Sequence, residues 1–307
     1  MCSSDLAPSA LPSTAPCPPP APSPAPSPSP VVVRPGPVVV KTGVAMTGTL
    51  PCAEHPADGC VNLADIYHPA NKGGWPTIVT VHGRPRTPAD MAELARALAK
   101  RGAVVFNVDY RGVRPVSRGF PDAYQDVACA IRFARARTVR FGGDPSRVIL
   151  IGHSQGGQVT GVVALAGDRF IGPPGSCKVG EGRSVPEGFV HVAGVSINDP
   201  TEPINATWFG GTRDQVPERW AKGDIYTHMG RNKGLQVGII FERNDPVLTV
   251  DNHALWLQSA FRAHHYRSRL KMLDIGSTHF DILDTDTTLG RTLVDFAWSV
   301  VRRTQPR

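Results

Sequence analysis

The sequence predicts an α/β fold, a mostly parallel sheet of eight strands covered by helices on both faces. Short, continuously apolar runs such as TIVTVHG (77–83) and RVILIGH (147–153) have the length and composition of strands buried on both sides. Segments with apolar residues at helical spacing lie between these runs, the alternation that builds parallel sheets. With 307 residues, 41% of them hydrophobic, and no internal repeat, one large domain accommodates all of it.

The elements follow in order. VVVKTGVAM (38–46) and VNLADIYHP (61–69) read as two opening strands that pair antiparallel. TIVTVHG is the third strand. A helix is expected over Pro88–Lys100, where Met91, Leu94, Ala95 and Leu98 share one face. AVVFNVDY (103–110) is a strand, Ala123–Arg137 a helix, and RVILIGH a strand that runs straight into a helix over Gln155–Leu165. GFVHVAGVSI (188–197) and LQVGIIFE (235–242) are further strands, HALWLQSAFRAHH (253–265) a helix, LKMLDIG (270–276) the last strand and Leu289–Val301 the last helix. The domain is expected from residue 37 to 307, with a short irregular insertion over 200–234. Residues 1–36 read as a tether, because 7–30 are almost entirely Pro, Ala and Ser and cannot bury enough apolar surface to offset their ordering entropy.

Composition excludes several function classes. Lys and Arg total 33 against 26 Asp and Glu, a formal charge of +7, yet the arginines are scattered, which argues against a nucleic-acid partner. No apolar stretch approaches the ~20 residues that span a bilayer. The six cysteines form no C-x-x-C pair and no zinc spacing with histidine, so no metal is expected. Cys52 and Cys60 bracket a short Pro- and Gly-containing loop and are one candidate disulfide; Cys129 with Cys177 is a second. Six reduced thiols in a cytoplasmic protein is the alternative. Met1-Cys2-Ser3-Ser4 ahead of the tether looks like the start of a mature bacterial lipoprotein, which makes Cys2 a candidate lipid anchor and the cell envelope or exterior the expected location.

The strongest local signal is GHSQGG, in which Gly152, Ser154 and Gly156 form G-x-S-x-G between a strand and a helix. At so tight a junction the serine takes a strained conformation above the sheet edge, and side chains two residues away on either side would collide with neighbouring elements. A helix-capping serine is the bland reading; the strong strand before it and strong helix after it favour a nucleophile.

On these residues the chain from 37 onward resembles the α/β-hydrolase superfamily, in its serine carboxylesterase and lipase branch. The resemblance implies that fold, a nucleophile followed in the chain by an acid and then a histidine, and no cofactor. It assigns the base to His279 in STHF, past the last strand; His191 falls in a strand, His253, His264 and His265 on or near a helix, and His228 is a weaker rival. For the acid, DPVLT at 245–249 resembles the superfamily's D-x-V-x-P loop with Thr249 in place of proline, which points to Asp245 over Asp251 and Glu242. The oxyanion donors are implied to be the backbone N–H groups of Gln155 and of Arg84 in VHGRPRTP. There Arg84 and Pro85 stand where relatives have the second and third glycines of H-G-G-G, and Pro85 has no N–H to offer. His82 is expected to order that loop; Asp109 and Arg111, which also end a strand at this edge, are expected to be structural, bracing loops through salt bridges, and Asp144 to form a turn.

The insertion holds Trp208, Phe209, Trp220, Tyr226 and Met229. Trp208 and Phe209 are expected either as an apolar wall for substrate or as packing. Its small size predicts an open site for small acyl or aryl esters. The motifs are similar to small carboxylesterases and to formamidase-like relatives that act on aryl formamides. A prolyl-oligopeptidase kind of peptidase lacks room for its propeller, a haloalkane or epoxide hydrolase would need aspartate at 154, and a non-catalytic binding module would need a broken set of three. Oligomeric state is not legible.

Overall fold

The computed structural model describes residues 33–52, 57–112, 118–274 and 278–304. Residues 1–32 of the expected tether, Cys2 among them, lie outside them; residues from Arg34 onward form one compact unit, so the domain starts before residue 37, with the Arg34 carbonyl and the Gly36 N–H bonded to the Asn71 side chain. Its centre is an eight-stranded sheet of order β1-β2-β4-β3-β5-β6-β7-β8. The strands are β1 (Val38–Ala45), β2 (Leu63–Pro69), β3 (Trp75–Val81), β4 (Val104–Val108), β5 (Gly143–His153), β6 (Gly188–Val192), β7 (Gln236–Glu242) and β8 (Arg267–Leu273). β1 pairs antiparallel with β2 and β2 antiparallel with β4; every other pairing is parallel.

The continuous apolar runs now have their reason. Successive residues point to opposite faces, and both faces are buried. Ile78, Val105, Ile149, Ile151, Val190 and Ile240 pack with α1 (Ala92–Lys100) and α7 (Thr288–Val301). Their neighbours Val79, Phe106, Leu150, Phe189 and Ile239 pack with α2 (Asp122–Arg137), α3 (Gln155–Ala166) and α6 (Trp256–Ala263). Burying both alternate sets leaves no polar stripe, which is why these strands show no period of two.

Several elements differ from expectation. The last strand runs over Arg267–Leu273 and not 270–276, and residues 275 and 276 lie outside the described residues. Pro88–Met91 is a 3-10 turn, opened by Asp90, whose carboxylate accepts the Thr87 N–H at 2.9 Å while its own N–H donates to the Thr87 carbonyl at 3.1 Å, so α1 starts at Ala92. β6 stops at Val192 because Ala193 turns the chain with φ 39°. The helix expected from His253 opens as a wide turn over Asp251–Leu255 before α6. The insertion is partly helical, with α4 (Pro203–Phe209) and α5 (Pro217–Lys222).

Both candidate disulfides are formed, with Cα–Cα separations of 5.8 Å for Cys52–Cys60 and 5.7 Å for Cys129–Cys177. The second ties α2 to residue 177, which bridges Thr47 beyond the first strand. Among the described residues, no helix is long and apolar enough to cross a membrane.

Candidate active site

Parallel strands all end at one edge of the sheet, and each predicted catalytic side chain follows such an end. Ser154 sits between β5 and α3 with φ 54° and ψ −124°, a conformation that costs a non-glycine residue on the order of 1–3 kcal/mol. Its surroundings impose it: the Ser154 N–H donates to the Val192 carbonyl at 3.1 Å, while its own carbonyl accepts from Gly157 at 2.9 Å and Val195 at 3.1 Å. The flanking glycines are required by close approach, since a Cβ on Gly156 would lie 2.2 Å from the His82 carbonyl oxygen and one on Gly152 2.2 Å from Thr160 Oγ1.

His279 follows β8. Its turn is held by Asp281, whose carboxylate accepts from the Thr278 N–H at 3.0 Å and the Thr278 hydroxyl at 2.6 Å. The His279 Nδ1–H donates to Asp245 Oδ2 at 2.7 Å, and the Asp245 side chain is fully buried. The other carboxylate oxygen of Asp245 accepts from the N–H groups of Val247 at 2.8 Å and Leu248 at 3.0 Å. Burial works to raise the Asp245 pKa, but the hydrogen bonds from His279, Leu248 and Val247 outweigh it and hold the carboxyl below its usual value. Asp245 is therefore a charged acceptor that fixes the histidine's orientation and tautomer. Glu242 is buried at the end of β7 and Asp251 is exposed at the start of its turn; neither takes the His279 hydrogen bond.

His279 Nε2, the nitrogen that would receive the serine proton, is buried and makes no hydrogen bond. No hydrogen bond therefore joins it to Ser154 in this structure, and bonds of this kind often tighten only when substrate binds. The two residues are nevertheless adjoined through His153, whose Nε2–H donates to the His279 carbonyl at 3.0 Å and whose ring centroid lies 4.8 Å from that of His279. Burial foremost, then the neighbouring imidazole, push the His153 pKa down to about 3, so it stays neutral.

The loop after β3 passes directly over Ser154: a Cβ at Gly83 would lie 2.8 Å from that of Ser154. As expected His82 orders it, its Nδ1–H donating to the Gly83 carbonyl at 2.8 Å while its own carbonyl accepts the Tyr110 hydroxyl at 2.9 Å. The Arg84 N–H donates to no group among the described residues. The Gln155 N–H opens α3, where the first N–H groups have no intrahelical acceptor. These are the two positions named as oxyanion donors.

Asp109 and Arg111 are structural, as expected: Arg111 makes a bidentate salt bridge with Asp126, both contacts 2.8 Å, and also approaches Asp122, while Asp109 lies 3.4 Å from His82 Nε2 and caps the Tyr110 N–H. The structure corrects two expectations. Trp208 and Phe209 have no accessible surface, so as placed they are packing residues and not an open substrate wall. Trp208 donates its indole N–H to the Tyr124 hydroxyl at 3.2 Å, and Phe209 packs on Phe120 and Trp220. His253, read as a surface helix residue, is partly buried and accepts the Ser196 N–H at 3.0 Å; the Ser196 hydroxyl also accepts from His191 Nε2. Sequence reading missed His153 and this His191–Ser196–His253 chain. The one available signal was that polar residues stand where buried strand ends must find partners.

Comparison with known proteins fits this geometry. Residues 64–175 match the BD-FAE family. The chain is 32% identical over 108 residues to the probable isoprenylcysteine alpha-carbonyl methylesterase ICMEL1 of Oryza sativa, covering 34% of this chain and 25% of that one. It is 32% identical over 125 residues to carboxylesterase NlhH of Mycobacterium tuberculosis, covering 38% and 39%. The matches thus span a quarter to two fifths of these relatives. Among solved structures, the butyrate-bound esterase Est2 of Thermogutta terrifontis superposes with a TM-score of 0.66 at 18% identity, covering 82% of this chain and 93% of that one.

Proposed function

We propose that this chain, an α/β-hydrolase by fold with sequence matches among esterases, is a serine hydrolase that cleaves carboxylic esters of small acyl or aryl type. Ser154 attacks the ester carbonyl while His279 Nε2 takes its proton. The oxyanion is stabilised by the N–H groups of Gln155 and Arg84. His279 returns the proton to the departing alcohol, then activates the water that clears the acyl-enzyme, with Asp245 holding the imidazole throughout. The single observation that carries this reading is the His279 Nδ1–Asp245 bond of 2.7 Å, made by a histidine whose other nitrogen is uncommitted and whose loop is held by His153, the residue before a strained Ser154. The shortness of the insertion and its packing against the domain support small substrates.

The two disulfides support an oxidising compartment, in line with the envelope or exterior location expected from the N-terminal sequence. The test of the activity is hydrolysis of 4-nitrophenyl acetate and butyrate by the purified protein, with fluorophosphonate labelling of Ser154. Ser154→Ala should abolish both; equal rates in the two proteins would remove the proposal.

A further inference from the structure

Arg84 sits in the loop that crosses the nucleophile, one residue after Gly83, whose backbone packs on Ser154. Its guanidinium carbon lies 5.2 Å from the centre of the Trp208 ring. That ring is fully buried and fixed by its bond to Tyr124, so it is a rigid platform for the cation. What the guanidinium lacks is a counter-charge. Arg111 has Asp126, Arg135 has Glu187 and Arg86 has Asp90, whereas no Asp or Glu lies within salt-bridge distance of Arg84 among the described residues. Nη1 of Arg84 is buried and makes no hydrogen bond. Burial accordingly pulls its pKa below the usual value, opposed only by Tyr110.

A cation held in a partly desolvated place without a partner is costly, and it attracts an anion more strongly there than in water. A guanidinium lying on an indole keeps its edge free for in-plane hydrogen bonds to a carboxylate. We propose that Arg84 is a substrate subsite for an anionic group, and that the preferred esters carry a free carboxylate on the acyl or the alcohol part. This rests on the esterase reading and deepens it. Trp208 has a role in it that sequence reading did not foresee, which is to orient Arg84 from beneath.

Two pairs of substrates test the idea, one for each origin of the charge. The acyl arm compares mono-4-nitrophenyl glutarate with 4-nitrophenyl pentanoate; the alcohol arm compares 4-acetoxybenzoate with 4-acetoxytoluene. The readout is the charged-to-neutral ratio of kcat/KM within each protein, because the Arg84 backbone also serves the oxyanion and a substitution there can alter both rates together. In at least one arm the ratio should fall about tenfold in Arg84→Gln, should be partly kept in Arg84→Lys, and should shrink with added salt in the wild type. Ratios unchanged by Arg84→Gln in both arms would overturn the subsite while leaving the esterase intact. If the wild type cleaves none of the four esters, the esterase reading fails. The subsite is then decided by calorimetric titration with monomethyl glutarate, where binding by the wild type and loss in Arg84→Gln supports it and no binding by the wild type overturns it.

Discussion

The imidazole of His153 donates to the main-chain oxygen of His279 at 3.0 Å, so the residue just before Ser154 holds the loop that carries His279. The two rings lie 4.8 Å apart, and the His153 ring is fully buried. His153→Ala should therefore lower kcat by on the order of tenfold to a hundredfold, with a smaller change in KM, because a misplaced base harms the chemical step more than substrate binding. His153→Asn, which can donate to the same oxygen, should recover part of the loss. Steady-state kinetics that show wild-type kcat in His153→Ala would refute the linkage.

Asp245 fixes the tautomer of His279 through a bond that an amide can mimic only with its donor misdirected. Asp245→Asn should lower kcat by about 10³-fold or more with the protein still folded. Asp251→Asn alters an exposed residue without that bond and should stay within a factor of about two, as surface changes away from the chemistry do. Comparable losses in both variants would reopen the choice of acid.

Gly156 has no room for a methyl group. Because a Cβ there would meet the His82 and Val81 carbonyl oxygens at 2.2 and 2.5 Å, Gly156→Ala must displace either α3 or the loop that carries Arg84. A loss of about 2 kcal/mol or more in urea unfolding is expected, along with reduced esterase activity. A variant of unchanged midpoint and rate would contradict the close packing described here.

Stability should fall on mild acidification. His153 and His191 are completely buried, and burial first of all lowers their pKa values to about 3 and about 4, below the value of about 6.5 in an unfolded chain. Between those limits the unfolded state binds more protons than the folded one, so the stability present above pH 6.5 is lost progressively as the pH falls. The lowered pKa of Asp245 acts in the same direction at lower pH, its contribution disappearing as the pH falls through the folded value. From pH 6.5 to 5.5 the two histidines together should account for on the order of 2 kcal/mol. Urea midpoints measured across that interval check the sign; a midpoint that rises as pH falls would disprove it.

Reduction of Cys129–Cys177 should also destabilise the fold. It closes a loop of 48 residues, which in the chain-entropy account is worth about 4 kcal/mol. The measurement is thermal unfolding of Cys129→Ala/Cys177→Ala against the parent, and an unchanged Tm would show that the reduced loop is already confined in the unfolded chain.

Much of the architecture was legible because it is written in local pattern. Strands buried on both faces need apolar residues at every position, and a nucleophile on a sharp turn needs glycine on either side, so β3, β5 and the GHSQGG junction could be recognised without coordinates. Asp245 and His279 were legible for a different reason, their order and position after late strands being implied by resemblance to a known superfamily. The partner of Arg111 could not be read from the sequence, because Asp126 comes into reach only when α2 packs on the sheet. Whether Trp208 and Phe209 form a substrate wall or pack the insertion was not legible, because composition does not reveal which side of an aromatic faces solvent. β6 was drawn too long, since hydrophobicity continues past Val192 while the turn at Ala193 depends on carbonyl and N–H partners brought by β7 and Ser154.

Sequence alone settled the α/β class, the succession of strands and helices, and the glycine-flanked serine at a strand-to-helix junction, because periodicity and steric need act between residues close along the chain. Only the tertiary structure decided that His153 braces the His279 loop, that His279 meets Asp245 and not Glu242 or Asp251, and that Arg84 lies on a buried tryptophan without a carboxylate to match it. Those relationships join side chains 34 to 126 residues apart, and distances of that kind are set by how helices pack on the sheet and not by any neighbouring pattern.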